Sequence, residues 1–283
     1  MKSTVKIIAG LVLTALLGGC SGHKPATVTA TAVKPQARVD RNRYYIPPPK
    51  LPGQWTVDDV LQTYGTAVAG NLNYYFAKAK VSYPPRAVTF IALKQEKKLE
   101  LWARDNGEFR FIRDYFIMAA SGEAGPKLRQ GDRQVPEGIY RIASLNPNSH
   151  YHLSMKINYP NEFDLLHAWQ EGRTDPGSDI FIHGKTASIG CLAMGDKAIE
   201  ELFVLTAKVG PENVKVVIAP HDPRIYPLLA VSDELPEWTP ELYSNISREI
   251  KALSPVRGFS KQLNPSCKPN PNGCVPKTLV SHF

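Results

Sequence analysis

Beyond its first 20 residues, no stretch of this sequence reaches the roughly 18 consecutive apolar residues that a bilayer-spanning helix needs. Internal repeats are absent, so nothing points to a repeat array. Metal-protease spacing is missing too, since no His-Glu-x-x-His element occurs. The charge is basic, +8 at pH 7, which suits a polyanionic surface. It is not gathered into a basic stripe and comes with no aromatic nucleic-acid motif, so nucleic acid is excluded as a partner. Cysteine is scarce, with 4 among 283 residues, and each of the four has its own reading.

What is present begins with the first 20 residues. Lys2 and Lys6 form a positive segment, Ile7 to Leu17 a short apolar one, and Leu17-Gly18-Gly19-Cys20 closes it with small residues before a cysteine. This pattern resembles a bacterial lipoprotein signal. The resemblance implies cleavage before Cys20, lipidation of Cys20, and a body that sits in the periplasm and touches membrane only through its lipid. Ser21 follows where an Asp signals inner-membrane retention, so the outer membrane is the expected address. Without Lys2 and Lys6 the remaining chain carries +6. Cys267 and Cys274 lie in a Pro/Gly/Asn-rich tail and suit a small disulfide loop in an oxidising compartment. Cys191 is left alone.

Five segments are expected: a leader over 1–20, a Pro-rich tether over 21–53, a helix within 54–83, a catalytic domain over 84–220, and a helical, cysteine-bearing tail over 221–283. The tether contains Pro25, Pro35, Pro47, Pro48, Pro49 and Pro52 and shows no periodicity. Thr56-Val57-Asp58-Asp59 reads as a capping box. Val57, Val60, Leu61, Tyr64, Val68, Leu72 and Tyr75 follow at helical spacing. Strand patterns then run over 87–93, 99–103 and 109–117, the last two flanking the turn Asp105-Asn106-Gly107. Further strands are expected over 139–143, 152–159, 179–183 and 214–218. A single internal helix is expected over 196–209, with Asp196 as its cap. A second flanking helix over 239–253 would have Thr239 as cap and Pro240 at its first position. Trp102 and Tyr140 read as core or sheet-face aromatics, and Met194 as packing. The fold class is mostly β, of the α+β kind.

The most informative stretch is Asp179-Ile180-Phe181-Ile182-His183-Gly184-Lys185-Thr186-Ala187-Ser188-Ile189-Gly190-Cys191. An apolar strand ends on His-Gly, a short loop follows, and Gly-Cys closes it. A thiol needs a neighbouring base to attack near neutral pH, and a histidine across a tight loop supplies one. Gly190 allows close backbone approach, and the amides of Gly190 and Cys191 can face a developing oxyanion. Ser188 can orient the imidazole or donate to the same anion. Against this stands the plain reading of a small buried Cys and a turn His.

These residues resemble the active-site signature of the L,D-transpeptidase (YkuD) catalytic domain, a strand-ending His-Gly followed by Ser-His-Gly-Cys. Here the match is His183-Gly184 and then Ser188-Ile189-Gly190-Cys191. Gly131-Asp132-Arg133-Gln134-Val135-Pro136-Glu137-Gly138-Ile139-Tyr140 resembles that family's upstream element, with Val135 for a Thr. The Ile-Gly-Cys variant and Tyr159-Pro160-Asn161 bring the chain nearest the YafK-like branch. The resemblance spans about residues 86 to 219. It implies a mixed β-sandwich or barrel and a cofactor-free cysteine enzyme, transpeptidase or hydrolase, acting on L,D-amide bonds of peptidoglycan stem peptides. It makes Cys191 the nucleophile and His183 the base, with Gly184, Lys185, Tyr159 and Arg141 toward substrate. The branch includes an amidase that detaches murein lipoprotein, so that protein is a candidate partner. Two departures matter. Ile189 replaces the second histidine of the main family, and the His-to-Cys spacing is short, which leaves the acceptor side open and shifts weight toward hydrolysis.

Two other classes compete. A zinc hydrolase would draw on His150, His152, His167 and His183, with Asp164 as an oxygen ligand. A non-catalytic peptidoglycan-binding lipoprotein would instead use cationic side chains such as Arg86, Arg141, Arg173 and Lys185 on stem-peptide carboxylates.

Overall fold

The computed structural model describes residues 53–253 except positions 231 and 233. The expected leader, the tether up to residue 52, and the tail from 254 lie outside the described residues. So do Cys20, Cys267 and Cys274. Among the described residues no helix is long and apolar enough to cross a membrane.

The first helix, α1 (Val57–Ala79), starts on the expected capping box: Thr56 accepts the Asp59 N–H and the Asp59 side chain accepts the Thr56 N–H. Its buried stripe is Val60, Val68, Leu72 and Phe76. Strands β1 (Ala87–Leu93), β2 (Lys98–Arg104) and β3 (Arg110–Phe116) form an antiparallel meander, with the Asp105–Gly107 turn between the last two. The remaining strands are β4 (Ala119–Ala120), β5 (Gly138–Ser149), β6 (His152–Ile157), β7 (Phe181–His183), β8 (Leu192–Ala193) and β9 (Val214–Ala219). Together they make one sheet in the order β3-β2-β1-β9-β5-β6-β7-β8-β4. The pairs β1/β9 and β7/β8 are parallel and the others antiparallel.

Strands β1 and β9 are apolar except for Thr89 and Lys215, because both their faces are covered. Val88, Phe90 and Ala92 of β1 join Val214, Val216 and Ile218 of β9 in a first core. Ile91, Leu93, Val217 and Ala219 face a second. The first core is closed by α1 and by α3 (Asp196–Val209), through Ile199, Leu202 and Phe203. The second is closed by α4 (Thr239–Ala252), through Leu242, Tyr243, Ile246 and Ile250. Trp102 and Tyr140 are buried, as expected, and so is Met194.

The α+β class stands, with three corrections. A helix the pattern did not announce, α2 (Glu162–Gln170), follows β6, so two helices rather than one interrupt the strands. Asp196 is the first residue of α3 rather than its cap. Gly195 occupies the cap position, and the Asp196 carboxylate accepts the Lys185 N–H at 2.8 Å instead. Thr239 does not cap α4 either. The chain enters that helix at Trp238, already in helical conformation, and the Thr239 hydroxyl is buried without a partner.

Candidate active site

The site follows from sheet register. On β6 and β7, Ser154 opposes His183, Met155 opposes Ile182, and Lys156 opposes Phe181. On β7 and β8, Ile182 lies beside Leu192 and His183 beside Ala193, so one step back along the ladder sets Cys191 beside Phe181. Alternation sends Met155, Ile182 and Leu192 into the first core. It sends Ser154, Phe181, His183 and Cys191 to the other face, where they line a cavity of about 360 Å³. The β5–β6 hairpin forms the opposite wall through Asn146, Asn148 and Tyr151, and Ile189 is at the lip, 72% exposed. No Asp, Glu, Lys or Arg lines this cavity.

His183 is buried, with Nδ1 2.6 Å from the Gly184 carbonyl oxygen. A carbonyl only accepts, so Nδ1 carries the proton, and this contact assigns Nε2 as the bare nitrogen. The Tyr151 ring lies against the imidazole with centroids 4.5 Å apart. Burial holds the His183 pKa below its ordinary value, opposed by the bond to Gly184. The Cys191 sulfur accepts the Phe181 N–H at 3.4 Å and sits 3.9 Å from the Asp179 carbonyl. Burial pushes the thiol pKa up, while the Phe181 amide and the Lys127 charge pull it back. The resting pair is therefore a neutral thiol and a neutral imidazole that share one cavity wall.

The loop between them is held by hydroxyls. Ser188 Oγ donates to the Cys191 carbonyl at 2.5 Å and accepts the Cys191 N–H at 3.2 Å. The Gly190 N–H donates to Ser121 Oγ at 2.6 Å, and Ser121 Oγ lies 3.4 Å from Ser188 Oγ. Ser188 thus braces the peptides of Cys191 rather than the imidazole. Both amides expected at the oxyanion are engaged by serines, the Cys191 N–H more weakly. The Gly131–Tyr140 element supports Ser121 from behind: the Val135 N–H donates to the Ser121 carbonyl, and Asp132 gathers the amides of Leu128, Arg129 and Gln134.

The other sequence-derived residues divide. Gly184 is packed so closely that a Cβ there would come within 2.6 Å of the Tyr151 carbonyl, and its own carbonyl holds His183. Lys185 is exposed beyond Tyr151, its ammonium bonded to the His150 carbonyl. Tyr159 and Arg141 do not reach the cavity. The Tyr159 ring is in the first core with its hydroxyl donating to Pro176. Arg141, on the part of β5 paired with β9, donates to the Glu212 carbonyl. Arg173 is likewise engaged, with Glu171 and the Leu128 carbonyl. Cys191 is a free thiol.

Of the histidines in the zinc reading, His150 and His183 line the cavity, while His152 and His167 are engaged elsewhere. His152 Nε2 contacts Glu200 at 2.8 Å, and His167 stacks on Trp238 at 4.6 Å between centroids. Among the described residues no group of three or more His, Cys, Asp or Glu side chains is disposed around a common point for a metal.

Residues 87–218 match the YkuD family, the L,D-transpeptidase catalytic domain, over nearly the span the sequence resemblance covers. The similarity to that family is confined to this segment, 132 of the 283 residues. The chain is 37% identical over 132 residues to the Escherichia coli K12 protein named "Putative L,D-transpeptidase YafK", covering 45% of this chain and 51% of that protein. The chain thus spans about half the length of the curated relatives it matches. Among solved structures it is similar to the helical cell shape determining protein Pgp2 from Campylobacter jejuni, at 20% identity and TM-score 0.40, over 53% of this chain and 55% of that one. Bdellovibrio bacteriovorus Bd1075 is similar at 20% identity and TM-score 0.36, over 59% and 56%.

Two residues of the site carry no sequence signal. Ser121 and Ser154 belong to segments far from the Cys191 loop, and a lone serine in a strand pattern announces nothing. Only the pairing of Ser154 with His183 and of Ser121 with Gly190 reveals them.

Proposed function

We propose that this protein is a peptidoglycan-modifying cysteine enzyme that acts on L,D-amide bonds of stem peptides, with Cys191 as nucleophile and His183 as base. The observation that carries the reading is the locked tautomer: Nδ1–H is tied to Gly184, which leaves Nε2 bare in the cavity that also holds the thiol. On substrate binding Nε2 takes the thiol proton, and sulfur attacks the amide carbonyl. The loosely held Cys191 N–H turns to the oxyanion. The imidazolium then protonates the departing amine as the C–N bond breaks, leaving a thioester on Cys191. Transfer to an amine makes the enzyme a transpeptidase, and transfer to water makes it an amidase. Release of murein lipoprotein from the wall would be one such hydrolysis. On this reading the protein works in the periplasm, lipid-anchored through Cys20 to the outer membrane and bridged by residues 21–53, and needs no cofactor.

The test is to incubate the purified soluble protein with defined muropeptides and with lipoprotein-linked muropeptides, and to identify products by mass spectrometry. New cross-links assign the transpeptidase and cleavage products assign the amidase. Products that persist unchanged in Cys191→Ala would sink both. Wall binding and cellular phenotype that survive Cys191→Ala would favour a non-catalytic anchor.

A further inference from the structure

We infer that Ser154 forms the acceptor subsite, its hydroxyl holding the water or amine that takes the acyl group from Cys191. This rests on the proposed roles of Cys191 and His183. The Ser154 side chain is mostly covered, the residue being 3% exposed, and it lines the cavity beside His183. Its oxygen is not among the buried polar atoms that lack a partner, so the small exposed part of this side chain includes the hydroxyl, which is free to bond a small molecule in the cavity. The other serines around the cavity are occupied. Ser149 accepts the Tyr151 N–H, Ser188 bridges the Cys191 peptides, and Ser121 accepts the Gly190 N–H. Ser154 opens onto the cavity itself.

Its position within the sheet gives it a side. In the strand order β6-β7-β8, His183 pairs with Ser154 on one side and lies beside Ala193 on the other, with Cys191 two residues back on that second side. Directly paired residues of antiparallel strands have Cβ atoms about 4.5–5.5 Å apart, so the Ser154 hydroxyl is a neighbour of the imidazole on the side away from the thiol. A donor amide must lie against the sulfur. A small group bonded to Ser154 lies instead where Nε2 can take its proton as it attacks.

The step balances. One hydrogen of the acceptor (H–OH or H–NHR) is held by Ser154 Oγ and another is directed to Nε2. The acceptor's lone pair forms the new C–O or C–N bond, the proton passes to Nε2, and the C–S bond breaks. The Cys191 thiolate then recovers the proton from the imidazolium. The absence of carboxylates from the lining suits this, because an amine has to be neutral to attack and nothing there holds it as an ammonium.

The experiment follows acyl-enzyme by intact-protein mass spectrometry, using detergent-solubilised full-length protein and a muropeptide donor. Ser154→Ala should acylate within about 3-fold of wild type and deacylate about 10-fold or more slowly, so that thioester on Cys191 accumulates. Ser154→Thr, which keeps the hydroxyl, should deacylate about 10-fold faster than its near-isostere Ser154→Val, and this pair decides the matter if the Ala variant folds poorly. Equal slowing of both steps, no change in either, or identical Thr and Val variants would overturn the proposal. A wild type that forms no adduct on Cys191 fails differently: it removes the nucleophile reading, and the acceptor site falls with it.

Discussion

A cysteine paired with histidine can rest as an ion pair or as two neutral groups, and here burial selects the second. It holds His183 below its ordinary 6.5 and Cys191 above its ordinary 9.0. The base role proposed for His183 needs the unprotonated ring, so the acid limb of the pH–rate profile should fall below pH 6.5. Alkylation of the resting enzyme by iodoacetamide needs the thiolate. Its rate should climb through an inflection above pH 9, without the neutral-pH plateau of an ion pair, and such a plateau would contradict the assignment. The two glycines of the motif serve different ends. Gly190 has φ +99° with its nearest obstacle 3.6 Å from a notional Cβ, so Gly190→Ala imposes backbone strain of about 1–2 kcal/mol but no collision. Gly184 has ordinary backbone geometry, but Gly184→Ala drives a methyl into the Tyr151 carbonyl, shifting the very peptide that holds Nδ1. We expect Gly184→Ala to lower Tm and activity together, and Gly190→Ala to lower activity with a smaller change in Tm. Matching losses in both variants, by thermal melts and product assays, would refute this division.

At the scale of elements, legibility followed which face of each segment meets water. Helix α3 buries Ile199, Leu202 and Phe203 on one side, and its bounds were readable from that periodicity. Helix α2 was not, because its pattern is inverted. Leu165, Leu166 and Trp169 are exposed while Asp164 and His167 are buried, so its apolar residues do not mark its core face. Its one usable signal was the Asn161–Asp164 capping box. The His-Gly and Gly-Cys parts of the site were legible because strand, turn and cysteine lie within one short segment. Ser154 and Ser121 were not, since long-range pairing alone brings them there. The inversion in α2 has a thermodynamic consequence. Burial lifts Asp164 from 3.8 to about 6, despite the Asn161 N–H and Tyr140 hydroxyl it accepts. A carboxyl raised in the folded state adds stability that is fully present below pH 3.8 and lost as pH rises through about 6. Asp164→Asn should therefore flatten the slope of unfolding free energy against pH between about 4 and 6 in urea titrations. An unaltered slope would show that Asp164 ionises freely in the fold.

For the molecule as a whole, the sheet presents two apolar faces, and each is closed by a segment outside residues 84–220. Leu72 and Phe76 of α1 complete the first core, and Ile246 and Ile250 of α4 complete the second, all at 0–1% exposure. Helix α4 is also tied to the Gly131–Tyr140 element. The Tyr243 hydroxyl donates to Glu137, a carboxylate that also receives Lys94 at 2.9 Å and the Gly125 N–H. Removing α4 strips the cover from Ile91, Leu93 and Val217 and leaves the Glu137–Lys94 pair short of one hydrogen bond in a low-dielectric setting. Four fully buried α4 side chains at about 1.5–3 kcal/mol each represent the larger part of a typical domain's net stability. A fragment of residues 84–220 should accordingly bind hydrophobic dye and associate, whereas residues 53–253 should elute as a folded species with a cooperative melt. Size-exclusion chromatography with dye fluorescence checks this. A monomeric, cooperatively melting 84–220 fragment would mean that the sheet closes its second face without α4, and that the helix is an addition to the catalytic domain rather than part of its core.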